Sequence, residues 1–240
     1  MNSFTAITSR LFSRVFRQAN EIEFTSDPCE VEPLTAVAIV ESKFVRAATF
    51  CGQLPNEIRK EVFSETAADE EALNELHSAH HSPNPRIAFA SAMGLTIAGR
   101  RATVFLTGSE LIACQDLLLE SVKQHLPIVI HVVLCDHAMA STYDAYHYSS
   151  MSGAMQFLAT NSQEAIDLTM IARQVAETSL IPAIVAIDVS TSITTAFLPS
   201  AKQAEQWLGN PEDVIKCPTH SQRLIFGENR RQVPDLWNLE

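Results

Sequence analysis

Leu126-Pro-Ile-Val-Ile-His-Val-Val-Leu134 is the stretch that decides the fold. From residue 128 to residue 134 only His131 interrupts an apolar run, so a strand built from it is apolar on both faces. A strand with one wet face alternates apolar and polar residues, whereas one covered on both sides does not. The run therefore predicts a central strand of a parallel sheet over residues 128–134. It is far too short for a membrane helix, which takes roughly 20 apolar residues, and no other run in the chain reaches that length.

Outward from this strand, helix and strand periods alternate. Upstream, residues 111–125 read as a helix stopped before Pro127, residues 102–106 as a buried strand, and residues 87–98 as a small-residue apolar helix ended by Gly99. Residues 77–85 carry Pro83 and Pro85 and read as a breaker. Residues 57–76 read as an acidic helix with a solvated face, residues 45–51 as a short strand and residues 35–44 as a helix. Downstream, residues 155–159 read as a strand. Asn161, with Glu164 three positions on, opens a helix running to about Ser179, and residues 182–189 read as the last strand. Such alternation implies an α/β domain, a parallel sheet with helices on both faces.

The 240 residues are 46% hydrophobic and 19% charged, the composition of a folded chain with a sizeable core. A formal net charge of −11 repels phosphate backbones and anionic lipid, which argues against nucleic-acid and membrane partners. Five cysteines without a Cys-x-x-Cys pair suit free thiols in a reducing compartment, so a cytoplasmic location is expected. Residues 1–20 hold Arg10, Arg14 and Arg17, no acid, and an apolar face of Phe4, Ile7, Leu11, Phe12 and Val15. That pattern fits a docking amphipathic helix and also an organelle presequence, which would place the chain in a mitochondrion-like organelle. The acids of residues 21–32, with Pro28, read as a linker. The expected division is an arm and linker over 1–32, the α/β domain over 33–198 and a strap or connector over 199–240.

Motifs that carry chemistry are sparse. There is no Gly-x-Gly-x-x-Gly and no Gly-x-Ser-x-Gly. Gly94 and Gly99 have half the spacing of a phosphate loop, but Arg100-Arg101 follows, so close helix packing and a helix cap explain them better. His77 and His81 stand one helical turn apart with no third ligand evident, and a solvated loop is the simpler account. His131, Cys135 and His137 end the best strand, where ligand crevices of α/β sheets lie. A packed His131 and a buried Cys135 explain the pattern without a ligand. A small-molecule binder using the crevice near His131 and Asp136 remains an alternative function.

Taken in order, several stretches resemble the N-terminal, pyrimidine-type thiamine-diphosphate domain of the pyruvate:ferredoxin/flavodoxin (2-oxoacid:acceptor) oxidoreductases. They are Gly94-Leu-Thr-Ile-Ala-Gly-Arg-Arg-Ala-Thr-Val-Phe-Leu-Thr-Gly-Ser-Glu-Leu111, Leu126-Pro-Ile-Val-Ile-His-Val-Val133, Gln163-Glu-Ala-Ile-Asp-Leu168, Ile171-Ala-Arg173 and Pro182-Ala-Ile-Val-Ala-Ile-Asp188. The likeness covers about residues 33–190. Residues 218–234 look like the connector toward the rest of such an enzyme. The resemblance implies a three-layer, parallel-sheet thiamine-diphosphate-binding fold with an N-terminal helical arm and an extended C-terminal tail.

It also implies partners. In this family the cofactor bridges two domains, one gripping the pyrimidine and one holding the diphosphate through magnesium. The chain shows no diphosphate-binding signature and no cysteine set for iron–sulfur clusters. Thiamine diphosphate with magnesium would bind only with a partner domain, clusters would sit on partners, and an oligomer with other subunits is expected. Three family positions depart from the pattern. Leu54 stands where a threonine contacts substrate, and Cys135 stands where an arginine meets the substrate carboxylate. Pro85 stands where a glutamate meets the aminopyrimidine. Glu65, in Phe63-Ser-Glu-Thr-Ala-Ala68, has a local context like that glutamate's but lies well upstream. It is the one candidate cofactor contact, and no residue is assigned a catalytic or metal-ligating role. A degenerate site with an assembly role is the expectation, with a competent domain completed by partner chains as the alternative.

Overall fold

A computed structural model describes residues 27–45, 47–51, 78–134, 147, 149–188, 193–210 and 215. In chain order its elements are β1 (Cys29–Val31), α1 (Pro33–Phe44), β2 (Ala47–Phe50), β3 (Ser78–His81), α2 (Pro85–Ile97) and β4 (Ala102–Thr107). They continue with α3 (Gly108–Ala113), α4 (Gln115–Lys123), β5 (Val129–Val133), β6 (Met155–Ala159) and α5 (Ser162–Ser179). β7 (Ala183–Ile187), β8 (Thr194–Ala196) and α6 (Ala201–Leu208) complete the order.

Among the described residues, six strands form one sheet in the order β3-β2-β4-β5-β7-β6, and every pairing in it is parallel. β5 lies inside the sheet between β4 and β7, as its two-faced apolarity requires. Alternate side chains of the strands feed two separate cores. Phe105, Val129, Val185 and Ile187 pack against Val37 and Ala38 of α1 and Ala165, Ala172 and Ala176 of α5. Val104, Leu106, Ile130, Val132 and Ile184 pack against Ala88, Phe89 and Ala92 of α2 and against Leu111 and Leu118. The result is the three-layer arrangement expected for this α/β chain.

α1 is buried on a second side as well. Ala36, Val40 and Phe44 meet Ile166, Met170 and Trp207, so α6 covers the outer side of α1 and α5. Trp207 Nε1 donates to the Met170 carbonyl at 3.0 Å, which satisfies the indole inside that contact. β1 and β8 pair antiparallel beside this layer, with Cys29 opposite Ala196.

Four expectations need correction. Residues 78–81 form a strand, not a breaker, because the segment pairs residue for residue with β2 at the sheet edge. Residues 182–189 do not hold the last strand, since β8 follows. The expected single helix over 111–125 is two helices. Thr107 and Glu110 close a capping box that starts α3 at Gly108. The chain then breaks at Cys114, where Arg86 Nη1 donates to the Ala113 carbonyl at 3.2 Å and supplies a partner for a helix-end oxygen. Gly94 serves no close packing, since a Cβ there meets nothing within 4 Å, whereas Gly99 at φ 80° is a genuine helix-end residue. Asn161 does cap α5, accepting from the Glu164 N–H at 2.9 Å. Glu164 itself reaches back one residue further than a capping box would, to Thr160 N and Oγ1.

Candidate functional site

Ligands of open α/β sheets sit at the carboxyl ends of the strands, where successive connections leave in opposite directions. Here β2 connects outward to β3, while the chain continues from β4 to β5 on the other side. The crevice between β2 and β4 is therefore the candidate site. Cys51 ends β2, with its N–H donated to the Phe105 carbonyl at 3.1 Å. Ser82 ends β3, its N–H bonded to the Phe50 carbonyl at 3.0 Å. Thr107 ends β4. Around them stand Asn84, the cap of α2, and Pro85, its first residue.

Among the described residues, Glu110 and Asp116 of this edge are already engaged. Glu110 Oε2 accepts the Thr107 N–H at 2.7 Å inside the capping box. Asp116, in the first turn of α4, accepts both terminal nitrogens of Arg86 at 2.6 and 2.7 Å. The Arg86 guanidinium holds the Asp116 carboxyl down at about 2, so it is a weak proton acceptor. A thiamine cofactor needs a carboxylate at hydrogen-bond distance from its pyrimidine to move a proton there. Among the described residues, no uncommitted carboxylate is placed for that task.

A second recess opens on the α3 side, toward the ends of β5, β7 and β6. Leu111, Val132, Phe157, Ile184 and Ala186 line it, with Ser149 and Gln156 as its polar members. The Gln156 side-chain amide oxygen, Oε1, is buried there without a hydrogen-bond partner. Among the described residues, nothing in this lining is ionisable.

Pro85 is half-buried at the carboxyl edge, at the start of α2. Glu65, Leu54, Cys135, Asp136, His77 and His137 lie outside the described residues, as does the expected acidic helix over 57–76. His131 does not face a crevice. It is buried in the middle of β5, stacked on Phe105 with centroids 4.7 Å apart and hydrogen-bonded to Glu41. Glu41 was missed by sequence reasoning because a single acid in an apolar helix looks like a surface residue. Its helical spacing from Val37, Ala38 and Phe44, which puts it on their apolar face, was the available signal. Among the described residues no three metal-ligating side chains converge, and no helix is long and apolar enough to cross a membrane.

Comparison with known proteins bears on this geometry. The family described as pyruvate flavodoxin/ferredoxin oxidoreductase, thiamine-diphosphate-binding, matches residues 87–214, more than half of the chain. Among solved structures, the 2-oxoglutarate:ferredoxin oxidoreductase from Magnetococcus marinus, with 2-oxoglutarate, coenzyme A and succinyl-CoA bound, superposes with a TM-score of 0.59. It shares 16% identity over 74% of this chain and 32% of that one, so the likeness is of fold and the chain spans about a third of that relative. No curated protein matches by sequence.

Proposed function

Since the chain belongs to the thiamine-diphosphate-binding family of the pyruvate flavodoxin/ferredoxin oxidoreductases, we propose that it is the pyrimidine-side domain of a 2-oxoacid:ferredoxin oxidoreductase-like assembly in which this site has degenerated and the domain serves assembly. Pro85 carries the reading. It stands where the family places its glutamate and supplies no carboxylate, and the neighbouring acids Glu110 and Asp116 are held by a cap and by Arg86. The unionised lining of the second recess supports it, since burying a 2-oxoacid carboxylate without a cation costs several kcal/mol. In this reading residues 1–32 are an arm, 33–198 the domain and 199–240 the connector. Partner chains carry the diphosphate half-site with its magnesium and the iron–sulfur clusters.

A thiamine-diphosphate titration of the chain with its co-purifying partners, followed calorimetrically, tests this. Glu65→Gln is expected to leave cofactor affinity and activity of the assembled complex unchanged. Loss of both on changing Glu65 alone overturns the degenerate reading in favour of a competent domain. The location proposed is cytoplasmic. A reporter fused behind residues 1–20 that enters an organelle would instead establish those residues as a presequence.

A further inference from the structure

Glu41 of α1, His131 of β5 and Arg173 of α5 meet in the core with none of the three exposed. Arg173 Nε donates to Glu41 Oε1 and Oε2 at 3.2 and 3.1 Å, and Nη2 donates to Oε2 at 2.7 Å. Its Nη1 donates to the Ala102 carbonyl at the start of β4, 2.9 Å away. His131 Nε2 lies 2.7 Å from Glu41 Oε1. A carboxylate only accepts, so Nε2 carries the ring proton. The other nitrogen, Nδ1, is buried with no partner.

The trio has zero net charge only while His131 is neutral. A second proton, on Nδ1, adds a positive charge beside Arg173 and an N–H aimed at no acceptor. The other elements packed on the ring offer no relief. β4 presents Phe105 and β7 presents Val185, while Arg101, the other buried cation among the described residues, is paired with Glu177. We propose that Glu41, His131 and Arg173 form an acid-sensitive lock that fastens the α1–α5 layer to the sheet and is released when His131 takes up a proton from solvent.

The direction in pH follows from linkage. Burial pushes His131 below its ordinary value, the Glu41 contacts pull it up, Arg173 pushes it down again, and the net shift is downward. The unfolded chain then binds the proton first. Stability is fully present above an unfolded histidine value of ~6.5 and is lost as pH falls toward the folded value. Burial raises Glu41, but Arg173 and His131 outweigh it and hold it below its ordinary value, so its own loss comes at still lower pH.

Urea unfolding of the full 240-residue chain between pH 7.5 and 5 reads the lock. The folded-to-unfolded ratio is expected to fall by up to about tenfold per pH unit below ~6.5, the linkage of one proton. His131→Gln keeps a donor for Glu41 and cannot titrate, so that dependence is expected to flatten. An undiminished dependence in the variant overturns the proposal. Ring NMR of the unaltered chain tests it without any variant. The His131 signals should stay those of the neutral Nε2–H tautomer as pH passes below 6.5, and titration at or above that value also overturns it. Amide exchange locates the release. Acid should speed exchange in α1 and α5 ahead of α2 and α4, and uniform acceleration would show that no lock is there.

Discussion

Arg101 is where one side chain holds several elements at once. Its Nε and Nη2 donate to Glu177 of α5 at 2.7 and 3.3 Å, Nη2 also reaches the Leu208 carbonyl at 2.8 Å, and Nη1 reaches that of Asn210. The cation thus closes the carboxyl end of α6, where helix-end oxygens and the dipole both favour positive charge. Both members of the Arg101–Glu177 pair are largely buried, so removing one leaves the other without its counterion. Arg101→Met is expected to lower stability by about 3 kcal/mol in urea unfolding. It should also shift Trp207 emission to the red as α6 loosens. Cys114 makes a second prediction at this scale. Burial pushes its thiol up to about 11, with nearby Arg86 opposing and Asp116 and Glu110 adding to the rise. The thiolate is the reactive form, so iodoacetamide at pH 8 should leave Cys114 unmodified in the folded chain and modify it in urea, as peptide mass mapping would reveal. Neither role was legible in the sequence, where Arg101 read only as an obstacle to a phosphate loop.

Helices of this chain are set by their ends as much as by their faces. α2 begins with an Asn84 cap and Pro85 in its first turn, and ends at Gly99, signals that a sequence displays directly. Gly94 interrupts that same helix without a packing reason. Gly94→Ala should therefore raise stability by about 0.5–1 kcal/mol, because the new methyl meets nothing and the unfolded chain loses freedom. A thermal melt that falls instead would mean that a close neighbour does cover the site. α5 ends differently, with Leu180 in the left-handed region at φ 56° although it carries a side chain. Leu180 is buried against Ile215, and burial of a leucine, roughly 1.5–3 kcal/mol, outweighs a left-handed penalty of roughly 1–2 kcal/mol. The start of α3 is signalled by Thr107 with Glu110, whereas the break between α3 and α4 at Cys114 involves Arg86 reaching Ala113 from another helix.

At the scale of the molecule, one two-faced sheet carries two cores, and Pro85 starts α2 at the edge of its crevice. The chain spans 32% of the 2-oxoglutarate:ferredoxin oxidoreductase it resembles in fold, and its cysteines show no cluster-binding spacing. The purified chain alone is accordingly expected to reduce no viologen dye with pyruvate, and dye reduction above a no-enzyme control would contradict this. Local sequence was enough for β5, β4, β7, the carboxyl end of α2 and the start of α5, because apolarity on both faces, cap residues and glycine act within a few positions of themselves. It was enough, too, for the family. It was not enough for β3, whose histidines and flanking prolines disfavour a strand until β2 offers a ladder beside them. Nor could it unite Glu41, His131 and Arg173, which are brought together only by packing α1 and α5 on the same face of the sheet. Contacts between distant positions belong to the tertiary structure, because charge and hydrogen-bond partners act through space and a sequence orders residues only along the chain.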